Sequence, residues 1–372
     1  MSMNLDASKR DSGVELLRII AMFLIVLSHV TQTANSIIPI DIGIATHQMT
    51  HFVLSFFRML GALGNMIFFI ISAWFLLDSK EVKIQKIQFI LVTVWIVSIV
   101  YLTAFLVFYK GHISPSYIIK SLFPNFFANN WFLTCYMLFY PIHTLLNTLI
   151  KASSQQKLLK MCVSLFILYV LCNTIRAKTF FPSLLILWVT LYLIIGYMKF
   201  YLHNLSNNKI FNFYFLCGSI AGILTFTYLT NLLGLHFGVL RDKVLYWGTN
   251  YSVFWVLSAI TLLNLFRTIQ LRSELINKLA SYMLLVYLVH ENLLLRKYIR
   301  PNLFSAWHVY LGGENPIIDV ISFALALFIL ALIVSMIFNK LFHPFINGIA
   351  KKMNDFIERF YIQLTQIILK FE

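Results

Sequence analysis

Apolar residues arrive along this chain in long, nearly unbroken runs, and the polar residues between them fall in short clusters. Such runs reach the ~20 residues that a helix needs to cross a ~30 Å hydrocarbon core. They predict ten membrane-spanning helices, at about 14–34, 60–77, 88–109, 130–150, 159–175, 182–200, 210–233, 247–267, 278–296 and 317–339. Because the runs do not alternate, an all-α polytopic membrane protein is expected and a barrel is not. The first run is too long for the core of a cleavable leader, and Thr33-Ala34-Asn35-Ser36 offers no small-x-small site, so it is expected to persist as a helix.

The pattern changes near the C-terminal end. From Ile346 the apolar positions are Ile349, Met353, Phe356, Phe360, Leu364, Ile367 and Phe371, while Lys351, Lys352, Asp355, Glu358, Arg359 and Lys370 take other faces. Spacings of three and four predict an amphipathic helix over 342–372, lying on the inner membrane surface or packed on a partner. The rest, 1–341, contains no Pro/Gly/Ser linker and reads as one transmembrane domain.

Composition agrees: 60% of the 372 residues are apolar and 12% charged, more apolar surface than a soluble fold could hide. Lysine and arginine set the orientation. With a cytoplasmic N-terminus, 18 of the 29 fall on inner segments: Lys9, Arg10, Lys80, Lys83, Lys86, Lys151, Lys157, Lys160, Lys199, Lys209, Arg267, Arg272, Lys278, Lys340, Lys351, Lys352, Arg359 and Lys370. Nine fall outside: Lys110, Lys120, Arg176, Lys178, Arg241, Lys243, Arg296, Lys297 and Arg300. Arg18 and Arg58 lie in or beside spans. This bias places both termini in the cytoplasm. It also explains the net charge of +15 through anionic lipid, without nucleic acid. The abundance of Ile, Lys, Asn and Phe points to a bacterial plasma membrane. Cys135, Cys162, Cys172 and Cys217 lie within spans without CxxC spacing, so small buried hydrophobes are expected, with no disulfide and no metal site.

Titratable residues inside apolar runs are costly and mark candidate chemistry. Glu15, Arg18 and His29 share the first span. Eleven residues separate Arg18 from His29, about 1,100° of helix or three turns plus ~20°, so they share one face about 16 Å apart. One reading makes Glu15 and Arg18 a helix-end ion pair that snorkels to the interface, and His29 a hydrogen-bonder between helices. The other sees a polar track with a cationic end and a titratable end. Ser72 follows Phe68-Phe69 in the second span; Asn129-Asn130-Trp131 opens the fourth; His290-Glu291-Asn292 ends the ninth at the level expected for His29. An aromatic belt and a solvated loop end are the plainer accounts of these.

Taken in order, Glu15-Leu16-Leu17-Arg18, ten residues and His29, then Phe68-Phe69-x-x-Ser72, Trp74-Phe75-Leu76 and Tyr287-Leu288-Val289-His290 resemble the membrane acyltransferase-3 family over nearly the whole chain. The resemblance implies a polysaccharide O-acetyltransferase-like enzyme. Such an enzyme moves an acyl group, usually acetyl from acetyl-CoA or another acyl-CoA, to a hydroxyl of a cell-surface or lipid-linked glycan across the membrane. It assigns Arg18 and His29 the catalytic pair, with His29 as general base or as carrier of the acyl group. Glu15, Ser72, Asn130, Trp131, His290 and Glu291 are the candidate substrate-binding residues. No bound cofactor is implied; Lys80, Lys83 and Lys86 are candidates for the phosphates of the donor. This chain departs from the family pattern at Ala73 and Leu285, where glycine is common, and in having lysines where the loop is often arginine-rich. A transporter or flippase for a small solute or lipid-linked sugar would also need many helices with buried charge. It often has spans broken at matched Gly/Pro positions, and here only Pro141 interrupts an apolar interior.

Overall fold

The computed structural model describes residues 11–38, 48–175, 183–241, 243 and 245–368. Of the charges used for orientation, Lys9, Arg10, Arg176, Lys178 and Lys370 lie outside the described residues, as does Phe371. Below, the side carrying the α1 N-terminus is called proximal and the opposite side distal.

Every regular element among the described residues is helical. Among the described residues eight helices are long and apolar enough to cross a membrane. Five are single elements: α1 (Ser12–Asn35), α2 (Gln48–Leu76), α3 (Ile84–Phe108), α9 (Leu184–Tyr201) and α11 (Lys209–His236). The fourth crossing joins α5 (Trp131–Phe139) to α6 (His143–Ala152) through a 3₁₀ turn containing Pro141, which cannot donate the backbone bond a regular helix requires there. The fifth joins α7 (Gln155–Leu165) to α8 (Cys172–Ile175) through a π-helical turn. The last is α17 (Pro316–Ile368). Short helices α4 (Pro115–Leu122), α10 (His203–Asn207), α12 (Gly238–Arg241) and α16 (Arg300–Tyr310) lie in the connections.

Two expected spans differ in form. The eighth, α13 (Val253–Arg267), has 15 residues and reaches only about 22 Å. The ninth breaks into α14 (Glu274–Ala280) and α15 (Met283–His290), parted by a turn at Ser281-Tyr282. The second begins twelve residues before its expected start, because Gln48, Thr50, His51, Ser55 and Arg58 dilute the apolar signal of its first turns. The amphipathic stretch is a direct continuation of the tenth span: α17 runs 53 residues, about 80 Å, through Pro344. Ile346 and Ala350 are buried, and Ile349 and Met353 pack on the core. All four cysteines are free; Cys135 and Cys162 are buried as expected, whereas Cys172 and Cys217 face outward on the bundle.

α1 is the central element. Asp11 caps it by accepting from the Gly13 and Val14 amides. On one side α2 approaches closely, because a Cβ at Gly61 would lie 2.5 Å from Ser28 Oγ, and one at Gly64 2.6 Å from the Ala21 carbonyl. Small residues are how membrane helices gain such packing. On another side, the Ser273 amide donates to Ser12 Oγ at 3.0 Å at the proximal end, and His290 meets His29 at the distal end. Both pairs are 261 residues apart in sequence, so α14–α15 runs parallel to α1 in constant register.

Candidate functional site

That register brings the end of α15 against the distal half of α1. Nδ1 of His29 lies 3.1 Å from Nε2 of His290 and 3.1 Å from Oε2 of Glu291. Nδ1 of His290 lies 2.6 Å from the carbonyl of Val286, one helical turn back. A carbonyl only accepts, so this nitrogen carries the proton and Nε2 of neutral His290 is an acceptor. Nδ1 of His29 therefore donates, and the lone pair of neutral His29 sits on Nε2. Among the described residues no partner takes this Nε2, and the side chain keeps 17% exposure while His290 is fully buried.

Glu291 anchors the cluster. Its Oε1 accepts from Arg296 at 2.6 Å, and its Oε2 from Arg300 at 2.9 Å. The Arg300 side chain is 4% exposed and the Arg296 side chain 42%. Both arginines follow from local winding, since the π-turn Leu295–Ile299 before α16 folds them back over the end of α15. Three nitrogen and oxygen donors of His29, His290 and Glu291 lie within 4.8 Å of one another. Two guanidinium ions on the shared carboxylate oppose a dication there, and the fixed tautomers suit a proton relay.

A second polar cluster lies about 16 Å away along α1. Arg18 donates to Glu15 at 2.5 Å, so the 5%-exposed Glu15 carboxylate is occupied by its own helix. The Lys86 ammonium donates to the Tyr136 hydroxyl at 3.0 Å and lies 4.9 Å from the Tyr140 ring, and Arg18 is within electrostatic range of both Lys86 and Tyr136. Lys80 and Lys83 are exposed, and Lys83 meets this cluster through its backbone amide, which donates to the Tyr140 hydroxyl at 3.3 Å. Ser72 is placed towards this proximal half too, and its hydroxyl donates to the Phe68 carbonyl of its own helix at 3.1 Å.

Beside the stretch of α1 that separates the clusters lies a narrow cleft lined by Met22, Ile25, Phe68, Phe132, Leu284, Tyr287 and Asn65. Met22 and Ile25 continue the stripe that begins at Arg18 and ends at His29, at spacings of four, three and four. Asn130 meets this cleft indirectly, its side chain and the Phe132 amide holding the Tyr287 hydroxyl. Trp131 lines an adjoining narrow cleft with Trp188, Asn250 and, again, Asn65. Just before these residues Ala128 holds φ 47°, a conformation glycine would adopt more readily, where the chain turns into α5.

The structure thus brings His29, His290 and Glu291 into one cluster and Arg18, Glu15 and Lys86 into another, with Trp131 in a cleft that shares Asn65 with the one beside α1 and Asn130 near Tyr287. Arg296, Arg300, Tyr136 and Asn65 escaped the sequence reading. The arginines sit five and nine residues after Glu291, and that carboxylate beside a histidine at a span's end was the signal that could have drawn them in.

At opposite ends of one helix of a polytopic bundle there stand a histidine pair, one ring buried and the other partly exposed, and a cationic cluster. A family model described as an acyltransferase domain, that of the acyltransferase-3 family, matches residues 11–340, so this chain belongs to that family and is a membrane acyltransferase. Searches of curated proteins and of solved structures returned no match.

Proposed function

We propose that the protein moves an acyl group, acetyl in the expected case, from cytoplasmic acyl-CoA to a hydroxyl of a cell-surface or lipid-linked glycan. In this reading the proximal side is cytoplasmic, both termini lie there, and the membrane is the bacterial plasma membrane. The carrying observation is the hydrogen-bond chain Val286–His290–His29, which leaves Nε2 of His29 as a free basic nitrogen about 16 Å along α1 from the cationic cluster around Arg18.

The acceptor oxygen attacks the thioester carbon while its proton passes to Nε2 of His29. The carbon–sulfur bond then breaks, and the departing thiolate takes the proton back from the imidazolium. Glu291 lies 3.1 Å from Nδ1 and favours the imidazolium that forms. Two arginines against one carboxylate leave the distal cluster with an excess positive charge, which favours negative charge developing on the thioester oxygen. Arg18 and Lys86 orient the donor at the other end. His290 and Glu291 act behind His29, while Asn130 and Trp131 border the acceptor. Lys80 and Lys83 meet donor phosphates only as exposed point charges. The amphipathic end of α17, within 342–372, lies on the cytoplasmic leaflet.

Purified protein in detergent, given radiolabelled acetyl-CoA and a bacterial envelope glycan fraction, is expected to transfer label to glycan. His29→Ala should lower transfer at least 10²- to 10⁴-fold, the usual worth of a general base, with unchanged membrane insertion. Near-normal transfer by that variant would overturn the assignment.

A further inference from the structure

Asn65 has no role in the chemistry above, yet its position is unusual. It lies near the middle of α2, half-buried, and no hydrogen bond reaches its side chain among the described residues. An amide at that depth in a membrane helix is costly unless something satisfies it. The two clefts meet at Asn65, which is the one residue lining both. Its companions in the cleft along α1 are apolar apart from the hydroxyl of Tyr287, which Asn130 and Phe132 already hold.

The packing of α1 on α2 fixes its level. Gly61 abuts Ser28, and Gly64 abuts Ala21 and Ile25, so Asn65 stands beside the stretch of α1 from about Met22 to Ile25. That stretch is four to seven residues from His29, about 6–10 Å along the axis. A coenzyme A thioester with its carbonyl at His29 and its nucleotide end towards Arg18 would lay its pantetheine arm along this stretch. The arm carries two amides. At about 1.2 Å per bond they fall about 5 and 10 Å from the thioester carbon, bracketing the level of Asn65.

We infer that Asn65 is a donor-binding residue, its side chain pairing with an amide of the pantetheine arm midway between the Arg18 and His29 clusters. A primary amide offers a donor and an acceptor together, which matches a secondary amide. The inference rests on the donor being acyl-CoA, as proposed above. It has a consequence that a structural role does not share: in the free protein this side chain has no protein partner to lose.

The test compares three donors in detergent with wild-type, Asn65→Leu and Asn65→Ala proteins: acetyl-CoA, S,N-diacetylcysteamine with one amide, and S-butyl thioacetate with none. Asn65→Leu should raise KM about 3- to 10-fold for the amide-bearing donors, the worth of one neutral hydrogen bond. It should leave the amide-free thioester unaffected and should not lower the thermal midpoint. Equal KM values, an equal effect on the amide-free donor, or a lowered midpoint in both variants would each overturn the assignment. A wild type that transfers from no coenzyme A thioester would overturn the donor reading, and this inference with it. An active wild type with an unaffected Asn65→Leu would overturn this inference alone.

Discussion

The Val286 carbonyl and Nδ1 of His290 stand 2.6 Å apart, and this one contact determines where the proton of His29 resides. It makes His290 an acceptor towards α1 and leaves Nε2 of His29 without a partner among the described residues. His290→Ala should therefore leave the base present but free to choose its tautomer. Transfer is expected to fall about 10- to 100-fold, less than for His29→Ala, with the donor KM little changed. A steady-state comparison of the two variants checks this; equal losses would place His290 in the reaction itself.

The two arginines on Glu291 should separate in their effect on stability. Removing one partner of a buried ion pair costs about 3–5 kcal/mol, whereas an exposed pair is worth under about 1 kcal/mol. Arg300→Met, at a side chain 4% exposed, should lower the thermal midpoint in detergent sharply. Arg296→Met, at 42%, should lower it little. Glu291→Gln should resemble the former, because it leaves a buried guanidinium unpaired.

Among the proximal lysines, Lys86 is expected to matter most for the donor. Its ammonium is turned inward onto Tyr136 and the Tyr140 ring, close to Arg18, whereas Lys80 and Lys83 are exposed. Lys86→Ala should raise the KM for acetyl-CoA more than Lys80→Ala and Lys83→Ala together. Added salt should erase the effect of the exposed pair first, since exposed charges are the ones screened.

The close approach of α1 and α2 leaves no room for a side chain. Gly64→Leu would press on the Ala21 carbonyl and Ile25, and overpacking of this kind costs about 1–3 kcal/mol or more. Loss of monodisperse protein in size-exclusion chromatography is the expected outcome. Gly218→Leu, with open space at its Cβ, should be tolerated.

Much of the architecture was legible because hydropathy reports spans directly, and the arginine-x10-histidine spacing put both ends of the site on one face before any packing was known. The misplaced parts have physical causes. Arg296 and Arg300 counted as loop charges because a linear sequence does not reveal a π-turn that folds them back over the preceding helix. Ser72 looked like a site residue among aromatics, yet the antiparallel course of α2 carries it to the proximal half, where its hydroxyl bonds its own backbone. The break at Ser281-Tyr282 contains neither glycine nor proline, so the ninth span read as continuous. Asn65 sat in an apolar run as one tolerated amide, and only the junction of two clefts gave it meaning.

The constant offset between α1 and α14–α15 also bears on biosynthesis. Glu291, Arg296 and Arg300 emerge from the ribosome together and can pair at once, but His29 precedes its partner by 261 residues. At translation rates of about 5–20 residues per second, the first helix waits about 13–50 s in the bilayer before the segment that orients its imidazole is made. Until then the His29 imidazole has no partner to set its tautomer, and the cluster of His29, His290 and Glu291 closes only once α14–α15 has been laid beside α1.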